Sequence, residues 1–423
     1  MYDIIVIGGG ASGLLATLAS CRKGKRVLLI EKQSQCGLKL RITGKGHCNL
    51  TNMSPLKEFL THCGSEPRFL YPAFNSFFNE QLVSFFEQLG LKTVVERGQR
   101  VYPFSHKAQD VFFALINEIE TEGNVTILKQ TQAKHLIIEN SQIKGVVAQI
   151  GSEKEREYFA DNVILATGGL SYPLTGSTGD GYALAQQAGH TIITPLPSLI
   201  GFQIQDNIPQ QLFGFTIKNC KVTIKEQSGK KLYEQFGDIE FEQGMIAGPI
   251  ILSLSRLVAK RLYEGQELLA VIDFKPALEQ TKLTDNIIKE FSQRGKETIG
   301  QVLRAFMPKE LEEFAIDKAK LPTNKKACML SADERKRLVN FLKNCTFYIQ
   351  PYNKENLPLL FQRAVVTQGG VCLKEINPKT LESKIVSGLY FCGEVMDLDA
   401  DTGGYNLQIA FSTAWLACQG ACC

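Results

Sequence analysis

Gly8, Gly10 and Gly13 stand in the spacing GxGxxG within the opening stretch YDIIVIGGGASG. Those residue types at that spacing suit a pyrophosphate. The first glycine permits a tight turn, the second lets phosphate approach the backbone, and the third lets a helix pack close to a strand. The phosphates would face the free N–H groups and the positive end of that helix. Glu31 lies about 20 residues further on, where a carboxylate accepts hydrogen bonds from ribose hydroxyls and repels a 2′-phosphate. The pattern suits an ADP moiety with free ribose hydroxyls, as in NAD or FAD, better than NADP.

Two later stretches have the same character. Residues 162–166 (NVILA) end in Thr167, Gly168 and Gly169, and Thr178 or Asp180 can cap a helix beginning near Tyr182. Residues 388–394 (GLYFCGE) run into glycine and an acid, and Gly403 and Gly404 open a helix over 406–418. Residues 36–52 (CGLKLRITGKGHCNLTN) have little apolar periodicity and read as a loop. Lys39, Arg41 and Lys45 give that loop the charge expected of one facing phosphates or an anionic substrate.

The elements that must position these residues are legible as apolar patterns. Residues 4–7 and 26–30 are continuous apolar runs of the kind found in strands buried on both faces of a parallel sheet, with a helix over 14–19 between them. Phe74, Phe77, Phe78, Leu82, Phe85 and Leu89 recur at helical spacing and read as core. A hairpin is expected over 93–96 and 100–103, a helix over 108–120, and strands over 125–128, 133–138 and 144–150. From Thr194, with prolines at 195 and 197, strands dominate to about 275. Helices then follow over 283–293, 298–306, 309–319 and 331–342, the last with a Ser331–Glu334 capping box.

The chain has 423 residues, 44% of them hydrophobic and 21% charged, and a net charge of +4, which excludes a disordered protein and does not by itself argue for nucleic acid. It has no apolar run long enough to span a membrane, and it starts directly with a strand, so a cytoplasmic location is expected. The 12 cysteines include no CxxC pair and read as free thiols rather than disulfides; the five histidines do not share ligand spacing with them, so no metal site is expected. Lys318, Lys320, Lys325, Lys326, Arg335, Lys336 and Arg337 form a basic cluster, read as a solvated helix face ahead of an RNA patch.

Three longer stretches, GLKLRITGKGHCNLTN, ATGGLSYPLTGSTGDGYALAQQAGH and TQGGVCLKEINPKTLESKIVSGLYFCGEVMDLDADTGGYNLQIAFSTAWLA, resemble the HI0933-like flavoproteins, also described as BaiN-like NAD(P)/FAD-dependent oxidoreductases. The resemblance implies an α/β fold. A Rossmann-like FAD-binding domain (1–194 and 345–423) would be interrupted by a small β-barrel (195–275) and a helical subdomain (276–344). It places Gly8, Gly10, Ser12, Gly13 and Glu31 at the ADP half of FAD, and Ala11, Lys32 and Ala133 among the cofactor-binding residues. Lys39, Thr43, Gly44, Gly46, Asn49 and Thr51 would line the flavin side, with Ala166, Thr167 and Gly168 nearby. Gly393, Glu394 and Asp397 would approach the ribityl chain, and Gly403, Gly404, Tyr405, Asn406 and Gln408 the isoalloxazine ring. Leu38, Lys45 and His47 depart from the family's usual Arg, Gly and Arg.

The expected function is hydride exchange between flavin N5 and a small organic substrate. His47, Cys48 and Tyr405 are the candidate acid–base groups. With no second GxGxxG in the chain, NAD(P)H as electron donor would dock transiently, between the FAD domain and the insert. The alternatives are a flavin-bearing RNA-binding or RNA-modification factor that uses the basic cluster, and a non-enzymatic FAD redox sensor.

Overall fold

A computed structural model describes residues 1–64 and 66–423. The chain divides into two compact units, Met1–Ser198 with Pro358–Cys423, and Leu199–Leu357.

In the first unit, Ile4, Ile5, Val6 and Ile7 are all buried in the strand Tyr2–Ile7. A run without polar alternation has no face to give to water, so it lies inside a parallel sheet. Its neighbours are Val27–Ile30 on one side and the end of Arg156–Leu165 on the other, both parallel. Val125–Leu128 extends the first side and Leu389–Phe391 the second, also in parallel. The early half of Arg156–Leu165 pairs antiparallel with Gln142–Ile150, which pairs with Thr131–Glu139. The helices Ala11–Cys21, Ala108–Thr121 and Tyr405–Ala421 supply much of the core on this sheet. Each fully buried Ile or Leu there contributes about 1.5–3 kcal/mol.

The aromatic run breaks into two helices, Tyr71–Ser76 and Asn79–Gln88. Phe74, Phe77, Phe85 and Phe86 are buried, and Phe77 stacks on Trp415 with centroids 4.5 Å apart.

In the second unit a six-stranded antiparallel sheet runs in the order Phe202–Gln203, Met245–Ala247, Lys231–Glu242, Thr216–Glu226, Leu268–Asp273, Cys345–Ile349. A bridge between Ile204 and Ile349 brings its two edge strands together. The helix Ala332–Asn344 starts in the capping box of Ser331 and Glu334.

Three expectations need correction here. The prolines at 195 and 197 do not end the first unit. They lie in the strand Ile192–Ser198, which pairs antiparallel with Val366–Val371 through an irregular register between Ile193 and Leu196. The return from the insert falls at Pro358 rather than 345, because Cys345–Ile349 is hydrogen-bonded to Leu268–Asp273. Residues 195–275 are not all strand and turn: Pro249–Tyr263 is a helix whose Ile250, Ile251, Leu254, Val258 and Leu262 face the core at helical spacing. Gly248, with φ +100, lets the chain turn into Pro249 at the first helical position.

Candidate nucleotide and flavin site

The turn between Tyr2–Ile7 and Ala11–Cys21 is closed by backbone contact. A Cβ on Gly8, whose φ is +103, would stand 2.6 Å from the Ala166 carbonyl oxygen, and one on Gly13 would stand 1.8 Å from the Gly8 oxygen. Gly10 differs, since a Cβ there would meet nothing within 4 Å. It faces open space where a ligand's phosphates could approach the N–H groups of the helix start.

Glu31, at the end of Val27–Ile30, is 8% exposed. Its Oε2 accepts the Gly9 N–H at 2.8 Å and its Oε1 the Gln33 N–H at 2.7 Å. Burial raises its pKa, and the two backbone donors oppose that shift. Each oxygen keeps a second lone pair for a ribose hydroxyl.

One cavity collects residues from distant parts of the first unit. Its wall includes Gly8, Gly10, Ala11, Ser12, Glu31, Lys32, Lys39, Thr43, Ala133, Ala166, Thr167, Gly168, Glu394 and Asn406. Residues singled out by neither spacing nor resemblance also line it, among them Gly37, Gln132, Thr175, Ser177, Val365 and Leu398. Asp180, expected only to cap a helix, lines it too.

Two polar clusters stand on that wall. Lys32 Nζ donates to Asp180 Oδ2 at 2.7 Å and to Thr178, and Gln132 Nε2 donates to the same Asp180 oxygen at 3.2 Å. Lys39 Nζ donates to Glu394 Oε2 at 2.7 Å and to Ser171 Oγ at 2.5 Å. The other Glu394 oxygen accepts the Ser171 hydroxyl at 2.8 Å and the Thr367 N–H at 2.7 Å. Nothing in the local sequence links Ser171 or Thr367 to Glu394; they lie 223 and 27 residues away.

Other expected site residues serve as supports. Gly393 donates its N–H to Thr413 Oγ1 at 3.0 Å, and a Cβ on it would press on Ser12. Asp397 accepts the Gly369 N–H at 3.0 Å, and burial raises its pKa. A Cβ on Gly404 would collide with the Thr51 backbone at 2.4 Å, and the Gly403 carbonyl accepts from Asn52 Nδ2. Asn406 exchanges two hydrogen bonds with the Ala400 backbone, both at 2.9 Å. Gln408 is wholly buried, accepting from the Thr51 hydroxyl and donating to Ser412 Oγ at 2.8 Å, so both residues bind the protein's own groups.

The three expected acid–base residues fare differently. Cys48 is wholly buried and its thiol is pushed up to about 12, which speaks against a role as proton donor or thiolate near neutrality. Tyr405 is buried with its ring against Phe59 and His62, and burial raises its phenol pKa. His47 is exposed, its ring in a T-shaped contact with that of His106, centroids 6.1 Å apart. It lies within a strained turn in which Gly44, Lys45, Gly46 and Cys48 all have positive φ. Non-glycine residues there cost on the order of 1–3 kcal/mol each, and such strain clusters at functional sites.

Three of the seven residues of the basic cluster in the second unit are paired with acids: Lys318 with Asp206, Lys325 with Glu334 at 2.8 Å, and Arg337 with Asp333. Among the described residues, no His/Cys/Asp/Glu group could hold a metal ion, and no helix is long and apolar enough to cross a membrane.

The family model described as the HI0933-like protein Rossmann domain matches residues 2–420. The chain belongs to the HI0933-like family. It is similar to a 3-dehydro-bile acid delta(4,6)-reductase of Clostridium scindens, 31% identical over 100% of this chain and 99% of the relative. It is also similar to a ribosomal RNA dihydrouridine synthase of Haemophilus influenzae, 30% identical over 97% of this chain and 96% of the relative. Among solved structures, a 3-ketosteroid delta1-dehydrogenase from Sterolibacterium denitrificans matches with a TM-score of 0.53, 13% identity, and coverage of 100% of this chain and 99% of that one. That likeness is one of fold.

The residues present fit FAD. Gly10 leaves open space at a helix start, Glu31 offers lone pairs to a ribose, and Thr167, on the cavity wall, has its Oγ1 buried without a partner among the described residues. Such atoms are costly unless something bonds to them.

Proposed function

We propose that this HI0933-like protein is an FAD-dependent oxidoreductase that reduces a carbon–carbon double bond conjugated to a carbonyl group in a small organic substrate. The observation that carries the reading is that three glycine-bearing segments, at residues 8–12, 166–168 and 394–406, line one cavity. In this reading Gly8 to Ser12 and Glu31 hold the ADP half, while Lys39, Glu394 and Asn406 border the ribityl and ring portion. Bound FAD would supply hydride chemistry. The Lys39 ammonium, fixed by Glu394 and Ser171, gives the site a positioned positive charge, and the helix start at Tyr405 adds a positive dipole end.

The reaction class is supported by the names of the two relatives. One acts on a 3-keto steroid with conjugated double bonds, and the other forms dihydrouridine, in which a ring double bond next to a carbonyl has been reduced. The second name also favours a second reading, in which the alkene belongs to a uridine in RNA. Against it stands the pairing of three of the seven cluster residues with acids. NAD(P)H is proposed as the transient electron donor.

The test is anaerobic. Purified protein should be yellow and release FAD on denaturation, and mixing with NADH or NADPH should bleach it. The reduced protein should be reoxidised by a steroid 4,6-dien-3-one, whereas reoxidation only by a uridine-containing ribosomal RNA transcript would select the second reading. A colourless protein that cannot be reconstituted with FAD would contradict both.

A further inference from the structure

His62 and Asp401 are 339 residues apart in sequence, and the fold brings His62 Nδ1 to 3.0 Å from Asp401 Oδ2. The pairing is built into the backbone. The Asp401 N–H donates to the His62 carbonyl at 2.9 Å, the Gly64 N–H donates to the Asp399 carbonyl at 2.7 Å, and Cys63 bridges Ala400. The imidazole also stacks on Tyr405, with centroids 4.4 Å apart and planes inclined by 21°. Both contacts fix the ring plane and the Nδ1 tautomer, which leaves Nε2 as the nitrogen for proton transfer. The His62 side chain is 35% exposed, so solvent can restore its proton.

The position is as specific as the pairing. Leu398 and Asn406 line the cavity, and Asp401 lies on the turn between them. Asn406 Nδ2 also donates to the Asp401 carbonyl at 3.2 Å, tying that turn to the start of the C-terminal helix. A carboxylate that orients an imidazole is a general-acid arrangement, and Asp401 stands in the chain between two residues of the cavity wall, Leu398 and Asn406.

We propose that His62, oriented by Asp401, donates the proton that completes alkene reduction. This rests on the function proposed above, which needs a proton source as well as a hydride. The β-carbon of the conjugated alkene receives the hydride with its electron pair. The π electrons of the C=C bond move to the α-carbon, and His62 Nε2–H protonates that carbon. The alkene gains two hydrogens, the flavin is oxidised, and His62 takes its proton back from water. Asp401 is a positioning residue that acts through His62.

The experiment uses the FAD-loaded full chain, reduced anaerobically by light and a deazaflavin. It is mixed with a steroid 4,6-dien-3-one, or with the RNA transcript if only that reoxidises the wild type. His62→Gln should keep its FAD content, its flavin spectrum and its rate of photoreduction, and slow reoxidation by about 100-fold. His62→Gly should be equally slow, and added imidazole should restore part of the rate. Asp401→Asn should slow reoxidation by about tenfold. A His62→Gln protein within about twofold of wild type would overturn the proposal. So would a slow variant that has lost FAD or shifted its Tm and is not restored by imidazole, since that marks a structural role. A reduced wild type that neither probe reoxidises refutes the alkene-reductase reading itself, and the proton-donor role falls with it.

Discussion

The Gly8–Gly13 turn and the stretch around residues 43–48 and 398–406 are built by opposite means. At the first, backbone meets backbone so closely that side chains are excluded at Gly8 and Gly13, and a single buried carboxylate, Glu31, is held by backbone N–H groups. At the second, side chains project from strained or partly exposed backbone: Lys45 and Cys48 at φ 55, and His62 paired with Asp401. The contrast fits the proposed ligand. An ADP group is the same in every turnover and can be met by steric specification. A reacting bond needs groups whose charge or proton can change, and those must reach water or substrate.

The largest effect should come from violating the backbone packing. Gly13→Val puts carbon atoms into the Gly8 carbonyl and should cost about 3 kcal/mol or more, read as loss of soluble, flavin-bearing protein or a collapsed denaturation midpoint. At the other end, Lys39→Met should leave the fold intact, because Glu394 keeps the Ser171 hydroxyl and the Thr367 N–H, and should remove the positioned positive charge, felt as about tenfold weaker FAD binding in a titration of apoprotein.

Smaller effects sharpen the contrast. Because burial raises the Glu31 pKa, the folded apoprotein binds a proton more readily than the unfolded chain there. Stability from this group is present below 4.5 and is lost as pH rises through the raised folded value. Glu31→Gln should flatten that slope in urea titrations run across the acid range. Lys45→Gly should relieve the left-handed strain and stabilise by about 1 kcal/mol, while Lys45→Val should do the reverse. Cys48→Ser should leave turnover within about twofold, because a wholly buried thiol near 12 supplies no proton at neutral pH.

The same contrast explains what could be read before the structure. The Gly8–Gly13 unit is local, so its spacing and the apolar runs beside it specify strand, turn and helix within about 30 residues. The pairs on the other side of the comparison are not local. His62 and Asp401, and Lys39 and Glu394, are paired by topology over more than 300 residues, and no periodicity records such a meeting. Resemblance alone assigned Thr51 and Gln408 to the cofactor, yet they satisfy each other in the interior. The helix Pro249–Tyr263 was hidden for a different reason: Gly248 and Pro249 punctuate like a turn, and only the spacing of the apolar residues beyond them marks a helix.

Glu31→Ala tests the division between a binding end and a reacting end most directly. FAD affinity of the apoprotein is measured by calorimetry, and the anaerobic reoxidation rate is measured in parallel at saturating FAD. Removing the acceptor of two backbone N–H groups and of a ribose should weaken FAD binding by about 10–100-fold and leave the reoxidation rate unchanged. Unchanged affinity with a slowed reoxidation would contradict the account.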